Sequence, residues 1–585
     1  MAFLAAVTAA SKKKQGANGA NCYTEDGVGD PRVALYTSMV RGLDRDELMK
    51  SVGKVLEFGG RGGTRPVARF DTGGSSDEEA EAAAAAATIS CTLEECVRDL
   101  WLLAFQARDV RGGKGERDLF VAAFNAVMRK RGAAGVAEAR ALLPLVPEYG
   151  SWLDVVKLFE DPNCPVRSDA LVLIVKQFRE DRVALKARKV GQTANISLLA
   201  KWLPREGSNT CKESTPSLIA AALYPTITSE AARMRLYRKQ CSELNAALKT
   251  VEVAMCGGRW STIQPAHVPG RAMKLYRKAF LNVDKRGKER STKEDRVTCA
   301  ATFKAHLEKV MAGKATVKGG DTVFPHEIVR AICNYRRVEG DEEMLLTAQW
   351  QAIRDKVSAA GAMGSCVPMC DFSGSMSGVP LEVSMALGIL LSEVNHPAFR
   401  GGMLTFDSTP QWLSFPEGAT LQKKVRLAQQ AGQGLSTNFE AALQMVLDRM
   451  VEHKVPVGEE PANIVVFTDM GFDAAARGMA TGCGANGSAW STIVESFQQK
   501  FKAAGGWTVP KIVIWNLRAA YKDYHAKADQ PGVLMLSGWA PSSMKLLTEG
   551  IKAQTPYEGM RFVLDDARYD AVRDAIRSIW APIDT

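Results

Sequence analysis

The sequence predicts a two-part, multidomain chain: an all-α, helical-repeat N-terminal half and a doubly wound α/β C-terminal domain. Three observations predict it. From about residue 91 to 358 nearly every segment has helical periodicity. After 360, strand-length apolar runs alternate with helical segments. At 585 residues the chain is also too long for a single compact core.

The elements follow in order. The opening "MAFLAAVTAASKKK" places its basic residues after the apolar run, the wrong order for a secretory signal. Residues 1–20 are expected to form a flexible N-terminus, with a short organelle-import segment as the alternative because no acidic residue precedes Glu25. Residues 21–358 read as the helical domain. It is interrupted at about 59–90 by "GGRGGTRP" and "GGSSDEEAEAAAAAAT", a low-complexity stretch expected to be a disordered insertion. The alternative is that its Ala run extends the following helix. "CTLEECVRDLWLLAFQARD", "ERDLFVAAFNAVMRKRG" and "EIVRAICNYRRV" space apolar residues by three and four, with charges opposite. Stacked antiparallel helix pairs are expected, although no fixed-length repeat is present.

Residues 359–585 read as the α/β domain. Its expected strands are "CVPMC" (366–370), "GGMLTF" (401–406), "NIVVFTD" (463–469), "KIVIWNL" (511–517) and "GVLML" (532–536). Helical segments at 380–395, 437–453, 491–504, 542–553 and 566–580 separate most of them. Buried strands with intervening helices imply a parallel sheet covered on both faces. Pro368 is awkward there, because a central strand loses a ladder bond at proline.

Composition narrows the function classes. With 46% apolar and 24% charged residues this is ordinary globular material, and no apolar stretch reaches the roughly 18 residues of a membrane span. Twelve cysteines are scattered without a CxxC pair, the closest being Cys91/Cys96 and Cys366/Cys370, and the six histidines lie far from those two pairs. Zinc ligation has no support, and such thiols suit a reducing compartment, cytoplasmic or nuclear. The net charge of +10 is uneven: residues 101–300 hold 35 Lys+Arg against 20 Asp+Glu, residues 351–585 hold 21 against 23. The positive excess belongs to the helical half.

The densest chemistry lies in "CDFSGSMSG" (370–378). In open α/β sheets, ligands bind beyond the carboxyl ends of strands, where strand order reverses. Asp371 follows the first strand, Asp469 ends "NIVVFTD", and Thr437 opens a helix in "GLSTNFEAAL". With those two strands adjacent, Asp371 and Asp469 would meet the hydroxyls of Ser373, Ser375 and Thr437. Such an all-oxygen set suits a hard cation such as Mg²⁺. A lone Asp-x-Ser-x-Ser also makes an ordinary turn or helix cap, so the context carries the reading. Asp407 and Asp473 are nearby carboxylates read as turn or surface residues.

"DFSGSMSG", "STNFEAAL" and "VVFTDM" resemble the metal-ion-dependent adhesion site (MIDAS) of von Willebrand factor type A domains, which have a Rossmann-like fold. The resemblance implies that Asp371, Ser373, Ser375, Thr437 and Asp469 hold one Mg²⁺ or Mn²⁺, which binds an acidic group of a partner. Upstream, "LAFQARDVRGGKGERDLF", "VPEYGSWLDVVKLF", "SLLAKWLPRE" and "PHEIVRAI" resemble an uncharacterised family joining a helical N-terminal region to a von Willebrand A-type domain. The same architecture occurs in TROVE-domain proteins, the family of the Ro autoantigen, whose helical ring binds RNA.

The residues of the helical half can be read independently of that resemblance. "RGGKGERD" (111–118) lacks P-loop spacing and reads as a tight interhelical turn carrying Arg111, Lys114 and Arg117 to the surface. Basic runs follow, with Arg235, Arg238 and Lys239 around Tyr237, and Lys274, Arg277 and Lys278 around Tyr276. A third run, "KRGKERSTKEDR", spans 285–296. Such runs pair phosphate contacts with base stacking; the competing reading is core tyrosines beneath a solvated face. Trp202 reads as a packing residue.

No catalytic constellation stands out, and His396 lies beyond the helix that leaves the motif. The expectation is a non-enzymatic ribonucleoprotein scaffold, with RNA on the helical half, an acidic protein partner on the metal, no membrane and no DNA specificity. A protein-only adhesion or assembly scaffold is the alternative, and a metal-dependent phosphohydrolase the third reading.

Overall fold

The computed structural model describes residues 12–18, 20–66, 88–284, 286–319, 323–334, 340–359, 365–406, 410–431, 439–472, 493–504, 506–548 and 553–580. They fall into two compact units whose segments interleave along the chain. One comprises residues 1–103, 112–114 and 321–567; the other comprises 104–111, 115–320 and 568–585. The sequence reading places a single boundary at 358/359. The sheet-bearing unit instead takes in the first 103 residues, and the helical unit takes in the C-terminal helix Asp570–Trp580.

Ten strands are described. β1 (Lys13–Gln15) and β2 (Asn21–Tyr23) pair antiparallel, as do β3 (Thr64–Pro66) and β4 (Thr88–Ser90). Ordered pairing therefore begins within the segment expected to be a flexible N-terminus. Most of the Ala-rich insertion, 67–87, lies outside the described residues, and β3 and β4 pair at its two ends. The main sheet consists of β5 (Cys366–Asp371), β6 (Gly402–Phe406), β7 (Gln411–Ser414), β8 (Asn463–Thr468), β9 (Lys511–Asn516) and β10 (Val533–Ser537). Its order is β10-β9-β8-β5-β6-β7, parallel throughout except for the antiparallel edge β6–β7. All five expected strands are present, and β7 makes the sheet mixed.

Every residue of β5, β8 and β10 is buried, which requires cover on both faces. Pro368 is accommodated because β6 pairs with β5 only from Met369 onward, so Pro368 has a ladder partner on the β8 side alone. The helix Val379–Val394 packs against β5 and the helix Pro556–Leu564 against β10. A buried ion network fastens residues 30–99 into the same unit. Arg32 lies 2.6 Å from Asp30 and 2.9 Å from Asp99, and Arg561 lies 2.7 Å from Asp99. Breaking one partner of such a pair would leave a charge buried without compensation.

The second unit is helical, as its periodicity predicts. Leu93–Arg108, which begins in the first unit, is followed by Arg117–Arg131, Arg167–Lys189, Glu230–Ala247, Gly270–Phe280 and Glu294–Met311, with shorter helices between. Phe105 meets Phe120, Phe124 and Tyr149 edge-on, and Tyr149 stacks on Tyr569 at 5.7 Å. Arg568 pairs with buried Asp109, and the phenol of Tyr149 donates to Arg568 O at 2.6 Å. The segment expected at 566–580 to alternate with strands thus packs on the helical unit. Periodicity records that a face is apolar, not which neighbour covers it.

Candidate functional site

After β5 the chain runs to β6 on one side, then returns to place β8 on the other. The strand order therefore reverses between β5 and β8, and their carboxyl ends open onto one crevice. Asp371 ends β5 and Asp469 directly follows β8; both are fully buried, and Ser373 is nearly so. Asp371 Oδ1 accepts the Ser373 backbone N–H at 2.9 Å, and Oδ2 accepts the Thr468 hydroxyl at 2.8 Å. The hydroxyls of Ser373 and Ser375 are 3.0 Å apart. Asp469 Oδ1 accepts the Gly471 N–H at 3.2 Å, and its Oδ2 is buried without a hydrogen-bond partner.

This is an electrostatically unsatisfied arrangement. Burial, followed by the charge of Asp469, pushes the Asp371 carboxyl up to about 7. Burial also raises Asp469, against the pull of the Ser375 hydroxyl. Two repelling, water-excluded carboxylates and an orphaned oxygen form a site that a divalent cation would neutralise. The donors are all oxygen, which fits Mg²⁺ or Mn²⁺. Thr437 lies outside the described residues, as do Asp407 and Asp473. Among the described residues no three His, Cys, Asp or Glu side chains group into a metal site. The crevice differs in kind, combining two carboxylates with hydroxyls.

Sequence reasoning missed the residues that hold the Asp469 loop. Met470 takes a left-handed backbone (φ 74°), a conformation that persists only where its surroundings over-determine it. His525 Nε2 donates to Met470 O at 2.9 Å, and Asn18 Nδ2 donates to Gly471 O at 2.8 Å. Ala20 N donates to Phe472 O at 3.4 Å, and Phe472 stacks on Phe439 at 4.2 Å and lies against His525 at 4.3 Å. The turn between β1 and β2 thus grips the loop that carries a predicted ligand. Exposed Arg518 donates to Ser375 O, which adds a positive charge at the rim. None of these residues belongs to a recognisable motif.

The basic candidates separate. Arg111, Arg235 and Lys239 are exposed. Lys114 is not at the surface: it is fully buried, and its ammonium donates to Tyr36 O (3.1 Å), Met39 O (2.7 Å) and Ser537 Oγ (2.7 Å). The "RGGKGERD" turn forms, with Gly115 N donating to Asp109 O at 3.1 Å and Gly115 at φ 72°. It directs Lys114 inward because segment 112–114 belongs to the sheet-bearing unit. Arg117 is drawn to buried Asp154 at 2.7 Å, and Arg238 is ion-paired with Glu206. Lys274, Arg277 and Lys278 are half-buried.

Tyr237 is no stacking platform. It is fully buried, with its phenol on Pro204 O at 2.7 Å. Tyr276 is half-buried, bonded to Glu252 at 3.3 Å and edge-on to Phe280. The helix Arg167–Lys189, which the sequence reading did not single out, exposes Lys176, Arg179, Lys186 and Lys189. A hydrogen bond from Arg182 lowers the pKa of Glu243, and the charges of Lys189 and Lys239 lower it further. Exposed Lys189 and Lys239 therefore both lie near Glu243, one on each of the helices Arg167–Lys189 and Glu230–Ala247.

Comparison with known proteins gives two domain families of unknown function and an uncharacterized viral relative. Residues 365–577 match the model described as "Domain of unknown function (DUF7788)", and residues 171–363 match "Domain of unknown function (DUF2828)". The chain is 28% identical over 460 residues to Uncharacterized protein L728 of Acanthamoeba polyphaga mimivirus, covering 76% of this chain and 75% of the viral protein. The chain is thus similar to two families of undescribed activity, one spanning the crevice and the other most of the basic helices.

Proposed function

We propose that this chain is a non-enzymatic binding scaffold whose sheet-bearing unit holds Mg²⁺ or Mn²⁺ and uses it to capture an acidic group of a partner. Asp371, Ser373, Ser375 and Asp469 would hold the cation, with Thr437 as the fifth ligand that the von Willebrand A-type resemblance implies. The observation that carries the reading is the buried pair Asp371 and Asp469, whose Oδ2 atom on Asp469 has no partner. The bound cation would supply a Lewis-acidic position for a carboxylate. The protein's own residues fix the ligand oxygens and exclude water, and Arg518 adds charge favourable to an anion at the rim.

The helical unit is the RNA-binding part of the same proposal. Its support is the exposure of Lys186, Lys189, Arg235 and Lys239, with Lys189 and Lys239 both close enough to Glu243 to lower its pKa. Calorimetry of the full chain with Mg²⁺ and with Mn²⁺ tests the metal assignment. One site is expected in the wild type and none in Asp371→Ala, with circular dichroism showing that the variant keeps its helices. Equal cation affinity in the two proteins would sink the assignment.

A further inference from the structure

The described cysteines are all free thiols, but two of them touch. Cys91 directly follows β4, and Cys96 lies in the first turns of Leu93–Arg108. Their Sγ atoms are 3.3 Å apart, in a hydrogen bond that either thiol can donate. Both residues are fully buried, yet the bridging Thr92, Leu93 and Glu94 are exposed, so the pair lies just beneath the surface.

The local structure holds both sulfurs in place. Cys91 N donates to Gly63 O at 2.6 Å. Thr92 and Glu95 form a reciprocal capping box at 3.0 and 3.1 Å, which fixes the helix start between the two thiols. Gly59 backs Cys96 so closely that a Cβ there would fall 2.9 Å from its Sγ, leaving the thiol little room to retreat. A disulfide needs an S–S distance of about 2.05 Å, so closure requires an approach of only about 1 Å.

The two thiols also differ electrostatically. The hydrogen bond from Cys96 lowers the pKa of Cys91, and the Arg32 guanidinium lowers it further. The same hydrogen bond, together with burial, raises Cys96. Burial instead pushes Cys366 up to about 12, and raises Cys370 as well. Cys91 is therefore the thiolate-forming partner, and Cys96 holds the proton.

The geometry points to Cys91 and Cys96 as a reversible dithiol–disulfide site, with a small peroxide as the two-electron oxidant. The Cys91 thiolate attacks one peroxide oxygen, the O–O bond breaks, and the departing hydroxide takes a proton to become water. This leaves Cys91 as a sulfenic acid. The Cys96 sulfur then attacks the Cys91 sulfur, an S–S bond forms, and a second water leaves carrying the sulfenic oxygen and the Cys96 proton. Two electrons pass from the thiol pair to the peroxide, and a dithiol reductant returns them. The product closes a short loop that ties the end of β4 to the first turns of Leu93–Arg108.

The test treats the reduced full-length chain with hydrogen peroxide, quenches it with acid, blocks the remaining thiols and maps peptides by mass spectrometry. A Cys91–Cys96 crosslink that dithiothreitol reverses is expected, forming about tenfold faster than any oxidation of Cys366 or Cys370. In Cys96→Ser, dimedone is expected to trap the Cys91 sulfenic acid. Cys91 and Cys96 remaining thiols while other cysteines oxidise would overturn the assignment, as would Cys91 passing to the sulfinic acid without crosslinking. The wild-type map decides the matter even if the variant does not fold.

Discussion

Asn18→Ala tests whether the N-terminal hairpin positions the cation site. Asn18 gives one neutral hydrogen bond, 2.8 Å, to Gly471 O, two residues beyond Asp469. Exposed Asn18 can exchange that bond for water, so its net value is about 1 kcal/mol. If the whole of that energy goes into holding Asp469 in its ligating position, cation affinity falls roughly fivefold. The contacts of Ala20 to Phe472 O and His525 to Met470 O remain, so the loop should stay folded and the melting temperature should barely move. Calorimetric titration of the full chain with Mn²⁺ measures the effect, with Asp371→Ala as the zero-binding reference. A wild-type Kd in Asn18→Ala refutes the positioning argument. Absence of Mn²⁺ binding in the wild type itself refutes the metal assignment, so the two failures are separable.

Three further outcomes follow from the same structure. Lys114→Ala removes a buried ammonium and leaves Tyr36 O, Met39 O and Ser537 Oγ short of its hydrogen bonds, so it should cost about 2–3 kcal/mol of stability, seen as a lower melting temperature. If the variant instead keeps wild-type stability and loses RNA affinity, Lys114 is a surface residue after all. Reversing Lys186, Lys189 and Lys239 to Glu should weaken binding of a structured RNA at least about tenfold and flatten its salt dependence, measured by filter binding. Equal affinity would move RNA off this surface. Burial holds His525 down at about 4, against the raising effects of its Met470 hydrogen bond and Asp523, and alongside the lowering charge of Lys14. An unfolded histidine takes its proton near 6.5, so the unfolded state binds more protons between about pH 6.5 and 4. Stability is then full above 6.5 and declines as pH falls to 4, by about 3 kcal/mol. The difference in unfolding free energy between wild type and His525→Gln, followed across pH, should show that slope; a flat difference rejects it.

Much of the framework was legible because it depends on local pattern. Strands β5, β6, β8, β9 and β10 are continuous apolar runs, and the helices of the N-terminal half keep their three- and four-residue spacing. Asp371 and Asp469 could be read as neighbours because strand ends and crossover rules bring carboxyl ends together. β7 could not be read in that way: it is a four-residue edge with an exposed, half-buried, half-buried, exposed pattern and no apolar run. Lys114 and Tyr237 also carry no local sign of their burial, since a basic run looks the same whether its members face water or carbonyl oxygens.

The sequence by itself determined which segments become strands and helices, and which oxygen-bearing side chains stand at strand ends. Both follow from the spacing of residues along a few turns of chain. Only the tertiary structure decided that residues 13–23 grip the Asp469 loop, that Lys114 lies inside the protein, that Asp570–Trp580 packs on the helical unit, and that Cys91 meets Cys96. Each of those outcomes depends on which surfaces meet when the segments pack. That choice is made by shape and by the pairing of buried polar groups, and neither leaves a period in the sequence.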